Sequence, residues 1–324
     1  MRSRPALLCA LLAIVLAACG NQAPKQASHS APPTATPTPS RPAPAVVQIE
    51  NAPEARPHAG LQKADIVYEY LTEGGITRFS AIYLNPSGQE KIEPVRSARL
   101  ITLKLLTSYQ AVLFYSGASD YVLGKIYAGG YPNFDEKADG GKYYGRDSSR
   151  QAPHNLYTTG DQLKAGVEKS AKRVTYELPA PGEPAGQGDP VKTFSFQQTY
   201  AHSVAYTYDE ASKAYTYRSE TGPLVDTSNG GQPVKITNVV LVHAAHHGMG
   251  YTEDVLGAEG IDFDLAGTGP ADVYTRGQHF AATWDLSTPD HPLKLLSAGG
   301  TPLTLPEGLT WIHVVDPGMP VTQA

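Results

Sequence analysis

Cysteine is nearly absent from this chain: its 324 residues hold two, Cys9 and Cys19, both close to the N-terminus. The rest of the chain has no thiol for a disulfide, a thiolate metal site or a cysteine nucleophile. A surplus of basic charge is missing too. Lys and Arg number 26 against 31 Asp and Glu, a formal charge of −5, whereas general nucleic-acid binding needs a basic footprint. Phenylalanine (7) and tryptophan (2) are scarce beside 19 tyrosines, a balance that suits half-buried strands and sugar-binding surfaces alike. The apolar stretch Ala6 to Ala18 falls short of the roughly 20 residues that span a bilayer. The G-x-S-x-G, H-E-x-x-H, EF-hand and phosphate-loop patterns are also missing, so no cofactor or metal is implied.

What is present at the start is an export signal. Arg2 and Arg4 precede the apolar stretch, which ends in Leu16-Ala17-Ala18-Cys19. A basic start, a short apolar run and a cysteine after small residues read as a lipoprotein signal over residues 1–19. Cys19 is then the new N-terminus, its thiol acylated with chains such as palmitate. At about 0.8 kcal/mol per buried methylene, several acyl chains hold a protein stably on a membrane. The expected location is the extracytoplasmic surface of the cell membrane or outer membrane, with the bilayer as first partner. Residues 20–45, rich in Pro, Ala and Thr, read as a disordered tether.

The folded part is expected from Val46. Asp65 to Glu73 and Ile76 to Leu84 form a hairpin across Gly74-Gly75. A helix follows over Ser97 to Ser108, with Ser97 as its cap, then a strand over Ala111 to Tyr115 and helices near Asp120 to Tyr127 and Thr159 to Ala171. Beyond the Pro- and Gly-rich stretch 179–190, short alternating runs dominate, among them Val204 to Tyr208, Val234 to His243 and Trp311 to Val315. The fold class is α+β, a mixed α/β subdomain over 46–180 followed by a mostly antiparallel β subdomain over 190–318.

Chemistry concentrates between Asp65 and Asn155. Period-2 alternation places Asp65, Glu69 and Glu73 on one strand face. Arg78 lies across the turn from Glu73. Arg96 and Arg99 flank Ser97 at a helix start, where backbone N–H groups and the dipole favour an anion. The alternative is a structural network pairing these arginines with Glu69, Glu73 or Glu93. Arg146, Arg150, His154 and Asn155 complete the candidate ligand-binding set, His154 held by Pro153. Ser119 suits either a strand–turn–helix nucleophile or a helix cap. His243, His246 and His247 could ligate a metal with Glu253, Asp254, Asp262 or Asp264 only after folding, and a structural role is preferred.

The strings Ala64-Asp65-Ile66-Val67-Tyr68-Glu69, Glu73-Gly74-Gly75-Ile76-Thr77-Arg78, Pro94-Val95-Arg96-Ser97-Ala98-Arg99 and Pro153-His154-Asn155-Leu156-Tyr157, with Gly308-Leu309-Thr310-Trp311-Ile312, resemble the YerB-like lipoprotein family. The resemblance spans residues 46 to 316. It implies a two-part α+β bacterial lipoprotein and no particular activity. The function expected is binding of an anionic cell-wall glycan or an envelope protein through an arginine-rich cleft. The alternative is an envelope hydrolase or transferase acting on a glycan or phosphoester, with Glu69 or Glu73 as base and His154 as acid.

Overall fold

The computed structural model describes residues 40–324. The signal with Cys19, and the tether up to residue 39, lie outside the described residues. The chain enters the fold before Val46: Arg41–Pro42 pairs with Arg173–Val174, and Ala43 and Pro44 are already buried.

In chain order the main elements are β1 Ala45–Glu50, β2 Ile66–Leu71, β3 Thr77–Tyr83, α1 Leu100–Tyr109, β4 Val112–Tyr115, α2 Asp120–Ala128, β5 Asn133–Asp135 and α3 Gly160–Ser170. They continue with β6 Thr193–Thr199, β7 His202–Asp209, β8 Ala214–Ser219, β9 Asn238–His243, β10 His246–Thr252, β11 Glu259–Phe263, β12 Gly267–Thr275, β13 Gln278–Leu286, β14 Lys294–Ser297, β15 Thr310–Val315 and β16 Val321–Gln323.

An 11-stranded sheet runs in the order β5-β4-β1-β3-β2-β15-β9-β12-β13, with β14 and Asp189–Pro190 both on β13. The segments 46–180 and 190–318 thus both supply strands to one sheet. A second, six-stranded sheet holds β8, β7, β6 and β16, with Gly222–Pro223 and Lys235–Ile236 along β8. The hairpin β10–β11 forms a two-stranded sheet of its own, with Phe263 packed against Tyr70.

Every residue of β1 and β3 is buried, because the large sheet is covered on both faces, the situation that produces near-continuous apolar strands. Val239, Leu241 and Trp311 pack with Phe194, Phe196, Tyr206, Tyr215 and Tyr217 of the second sheet, and α3 adds Leu163 and Val167 on that side. Tyr68, Tyr70, Val240, Val242, Ile312 and Val314 turn the other way, against Leu105, Leu106, Val122 and Ile126 of α1 and α2. The second sheet is one-sided. Its inward aromatics alternate with outward polar residues, as in β7, where Val204, Tyr206 and Tyr208 are buried between more exposed neighbours.

Local chemistry sets the helix ends. Ser119 caps α2 by accepting from Val122 N, and Thr159 caps α3 by accepting from Gln162 N. The expected cap at Ser97 does not form. Its hydroxyl donates to Ser116 O instead, and α1 starts three residues later, where Arg99 N–H donates to Thr102 Oγ1.

Candidate functional site at the carboxyl edge of the large sheet

Strand direction decides where the polar residues gather. β1 runs parallel to β4, β4 to β5, β15 to β2 and β9 to β15. β3 is antiparallel to both β1 and β2, so these six parallel strands all end at one edge. Crevices outside the carboxyl ends of parallel strands are where open sheets of this kind bind ligands. Glu50 closes β1, Glu73 follows β2, Ser116 follows β4 and Glu136 follows β5, while Arg78 opens β3 beside them.

Two linked ion clusters occupy this edge. In the first, Arg99 grips both carboxylate oxygens of Glu73, with Nε at 2.9 Å, and reaches Glu253 at 3.4 Å. Arg78 lies 3.9 Å from Glu73, donates to Ser97 O at 3.0 Å, and buries its Nε without a partner. Burial opposes ionisation of Glu73, but the hydrogen bonds and charge of Arg99 and the charge of Arg78 prevail and bring its pKa to about 2. Burial and the like charge of Arg99 lower Arg78 to about 10. Burial raises Glu253.

The second cluster centres on Glu50. Its Oε1 accepts from Arg96 Nε at 3.0 Å and its Oε2 meets His154 Nδ1 at 2.8 Å. Burial is again outweighed, here by Arg96, His154 and Arg78, and the Glu50 pKa falls. Glu50 and Arg78 are register partners across β1 and β3, which joins the two clusters. The side chain of Glu50 is 5 % exposed, while Arg96 is 30 % and His154 25 % exposed; the carboxylate is sealed and its partners reach solvent. Among the described residues, the terminal nitrogens of Arg96 and Nε2 of His154 find no partner.

The other predicted residues flank this pair. Arg146 bonds Asn155 Oδ1 at 2.9 Å and Glu136 at 2.8 Å. Arg150 spans Glu93 at 3.1 Å and the carbonyls of Pro57 and Ala55. Beside them an open cleft of 410 Å³ is lined by Glu54, Arg56, Arg150, Gln151, Ala152 and His154. The predicted arginines, His154, Asn155 and Glu73 therefore share one edge.

Glu69 does not join them. The alternation that would align Asp65, Glu69 and Glu73 ends with β2 at Leu71, and Glu73 belongs to a short 3-10 turn. Asp65 precedes the strand and accepts from Leu84 N. Glu69 is fully buried toward the second sheet. Its Oε1 takes bonds from Thr77, His202 and Tyr217, and its Oε2 from Trp311 Nε1 at 2.9 Å. Burial opposes its charge, yet His313, His202 and Trp311 bring its pKa to about 2. Burial holds His313 itself at about 4, so near neutrality His202 and the neutral donors stabilise the carboxylate.

The three clustered histidines diverge. His243 meets Asp272 at 2.7 Å, His246 meets Asp316 at 2.6 Å and His247 meets Asp264 at 2.8 Å. Sequence reasoning passed over Glu50, Arg56 and His202. A charge ending the strand-like run Ala45–Ile49, apolar but for Gln48, was the one local sign of Glu50; its partners come from 46 and 104 residues away.

Comparison with known proteins places the whole body. Residues 31–174 match the family described as "Protein of unknown function (DUF3048) N-terminal domain", and residues 193–312 match the corresponding C-terminal domain. "Putative lipoprotein YerB" of Bacillus subtilis (strain 168) is 30 % identical over 279 residues, 84 % of this chain and 81 % of that protein. The crystal structure of the YerB protein from Bacillus subtilis superposes with a TM-score of 0.72 at 27 % identity, covering 86 % of this chain and 93 % of that one.

Proposed function

Because the chain belongs to the DUF3048 family, whose Bacillus subtilis member has lipoprotein in its name, we propose that it is an envelope lipoprotein, anchored through Cys19, that holds an anionic cell-wall component or envelope partner at the carboxyl edge of its large sheet. The anchor rests on the Leu16-Ala17-Ala18-Cys19 signal behind Arg2 and Arg4.

The observation that carries the binding role is the Glu50 fork. One sealed carboxylate fixes Arg96 by Nε and His154 by Nδ1, so Arg96 presents its terminal N–H groups and His154 its Nε2 in a set orientation. A guanidinium presented this way suits phosphate or carboxylate oxygens. Arg99 and Arg78 are committed to Glu73 and act as supports. Arg56 and Arg150 line the neighbouring cleft beside Glu54, paired with Glu220 and Glu93 respectively.

A second reading has one observation in its favour. A carboxylate on Nδ1 fixes the imidazole tautomer and leaves Nε2 as a proton donor or acceptor, as in a hydrolase or transferase. Glu50 then orients His154, and the proton is exchanged at Nε2 of the histidine rather than at Glu69 or Glu73.

Pyrophosphate titrated by calorimetry tests the binding site, with circular dichroism as the folding control. Arg96→Ala with His154→Ala is expected to weaken binding at least about tenfold, since each charge-assisted bond contributes about 1.5–3 kcal/mol. Unchanged affinity in a well-folded double variant rejects the site. Hydrolysis of the pyrophosphate that disappears with His154→Ala alone favours the enzyme.

A further inference from the structure

At the opposite edge of the large sheet, on the face covered by α1, a cleft of 360 Å³ opens between the start of β2 and the loops around Leu178 and Leu305. Its size falls within the roughly 300–1,000 Å³ of small-molecule sites. The walls are aliphatic: Leu178, Leu293, Leu295, Leu303 and Leu305 line it with Ile66 and Ile312. Leu178, Leu293 and Leu305 are only half-buried, so the apolar surface is reachable from solvent.

Two features select the occupant. Pro179, Pro181, Pro292 and Pro306 are also in the wall, and proline has no N–H to offer. A peptide laid here would find four fewer N–H donors for its carbonyls, whereas an aliphatic chain needs none. The charged lining residues are Asp65 and Glu307, with no Lys or Arg among them. Arg41, whose charge acts on Asp65, sits over the Tyr176 ring at 5.1 Å. Asp65 accepts from Leu84 N at 2.7 Å and is itself exposed, so its carboxylate can meet a positive head group.

We propose that this cleft binds an alkylammonium amphiphile, its linear tail against the leucines and its cationic head at Asp65 and Glu307. Each methylene buried contributes about 0.8 kcal/mol, and the carboxylates supply the head-group preference. The site is separate from the arginine edge, and its occupancy does not depend on anion binding there.

The test uses the full chain carrying Cys19→Ser, which has no acyl group of its own to compete, and dodecylamine, dodecanol and dodecanoate titrated below micelle formation. Dodecylamine is expected to bind saturably at one site, about tenfold more tightly than dodecanol, the gain of one charge-assisted contact. Leu305→Trp, which fills the cleft, is expected to weaken dodecylamine at least about tenfold. Asp65→Asn with Glu307→Gln is expected to bring it level with dodecanol; the Asn side chain still accepts from Leu84 N. Absence of saturable binding, equal binding of dodecanoate, or full affinity in Leu305→Trp at unchanged melting temperature overturns the proposal. Should Leu305→Trp melt early, methyl shifts on adding dodecylamine decide: shifts at Leu293 and Leu303 support the site, and shifts confined elsewhere overturn it.

Discussion

At the scale of single residues, the polar interior sets the response to acid. His58 is fully buried, its Nε2 2.7 Å from Glu50 O and its Nδ1 without a partner. Protonation would bury a charge with nothing to receive it, so burial lowers its pKa to about 4 from 6.5. His313 is lowered to about 4 as well. In the unfolded chain both take up a proton near pH 6.5. Their contribution to stability is therefore complete above that value and is lost as pH falls toward 4. Glu69 and Glu73, lowered from 4.5 to about 2, lose theirs at more acid pH. His202 and His243, raised by Glu69 and Asp272, lose theirs only as pH rises through their folded values. Asp65, Glu93 and Glu253 titrate high and oppose the acid slope. His58→Gln, which keeps an N–H donor for Glu50 O, isolates one contribution. Since His58 and His313 share the window, the fall in melting temperature between pH 6.5 and 4 is expected to shrink by about half of their joint share. An unchanged slope shows that His58 is not held neutral.

At the scale of elements, turns decide how the edge is built. The turn joining β2 to β3 places Gly75 at φ +75°, and a Cβ there would run into the ring of Tyr200. Tyr200 is 83 % exposed, so the ring itself contributes little by burial. Gly75→Ala is expected to cost about 1–3 kcal/mol from the left-handed backbone and the clash together. Tyr200→Ala alone is expected to stay within about 0.5 kcal/mol of the parent. Adding it to Gly75→Ala restores the clash share only; chemical denaturation of the four proteins gives the cycle. Equal losses with and without Tyr200 attribute the whole cost to the backbone. This turn was legible in sequence, since Gly74-Gly75 broke an apolar run, and so were β4, α2 and the β-rich second half. The same pattern misplaced Glu73, because alternation holds only while the strand lasts. Glu50 with His154, and Glu69 with His202 and Trp311, were not legible, because nothing local records which distant strand a carboxylate will face.

At the scale of the whole molecule, the large sheet ties the two family segments together. β15, from the second segment, lies between β2 and β9 and parallel to both. Glu69 on β2 takes His202 and Tyr217 from the second sheet and Trp311 from β15. Removing the later segment would strip Glu69 of all three and leave β2 with an open edge. Removal would also uncover the apolar face that packs on the second sheet, and an unpaired apolar strand edge invites aggregation. The body is therefore expected to melt as one unit, with calorimetric and van't Hoff enthalpies equal. The segment ending at residue 188, produced alone, is expected to lack the near-ultraviolet dichroism of packed tyrosines and to show no slowly exchanging amides in β2. Two resolved transitions in the full chain, or a natively packed isolated segment, would show that the stretch 179–190 divides independent folding units. The cleft, whose wall draws on both segments, would then be complete on neither piece alone. A single transition instead means that the amphiphile cleft, built from β2, β9 and β15 together, and the Glu50 edge are stabilised or lost as one.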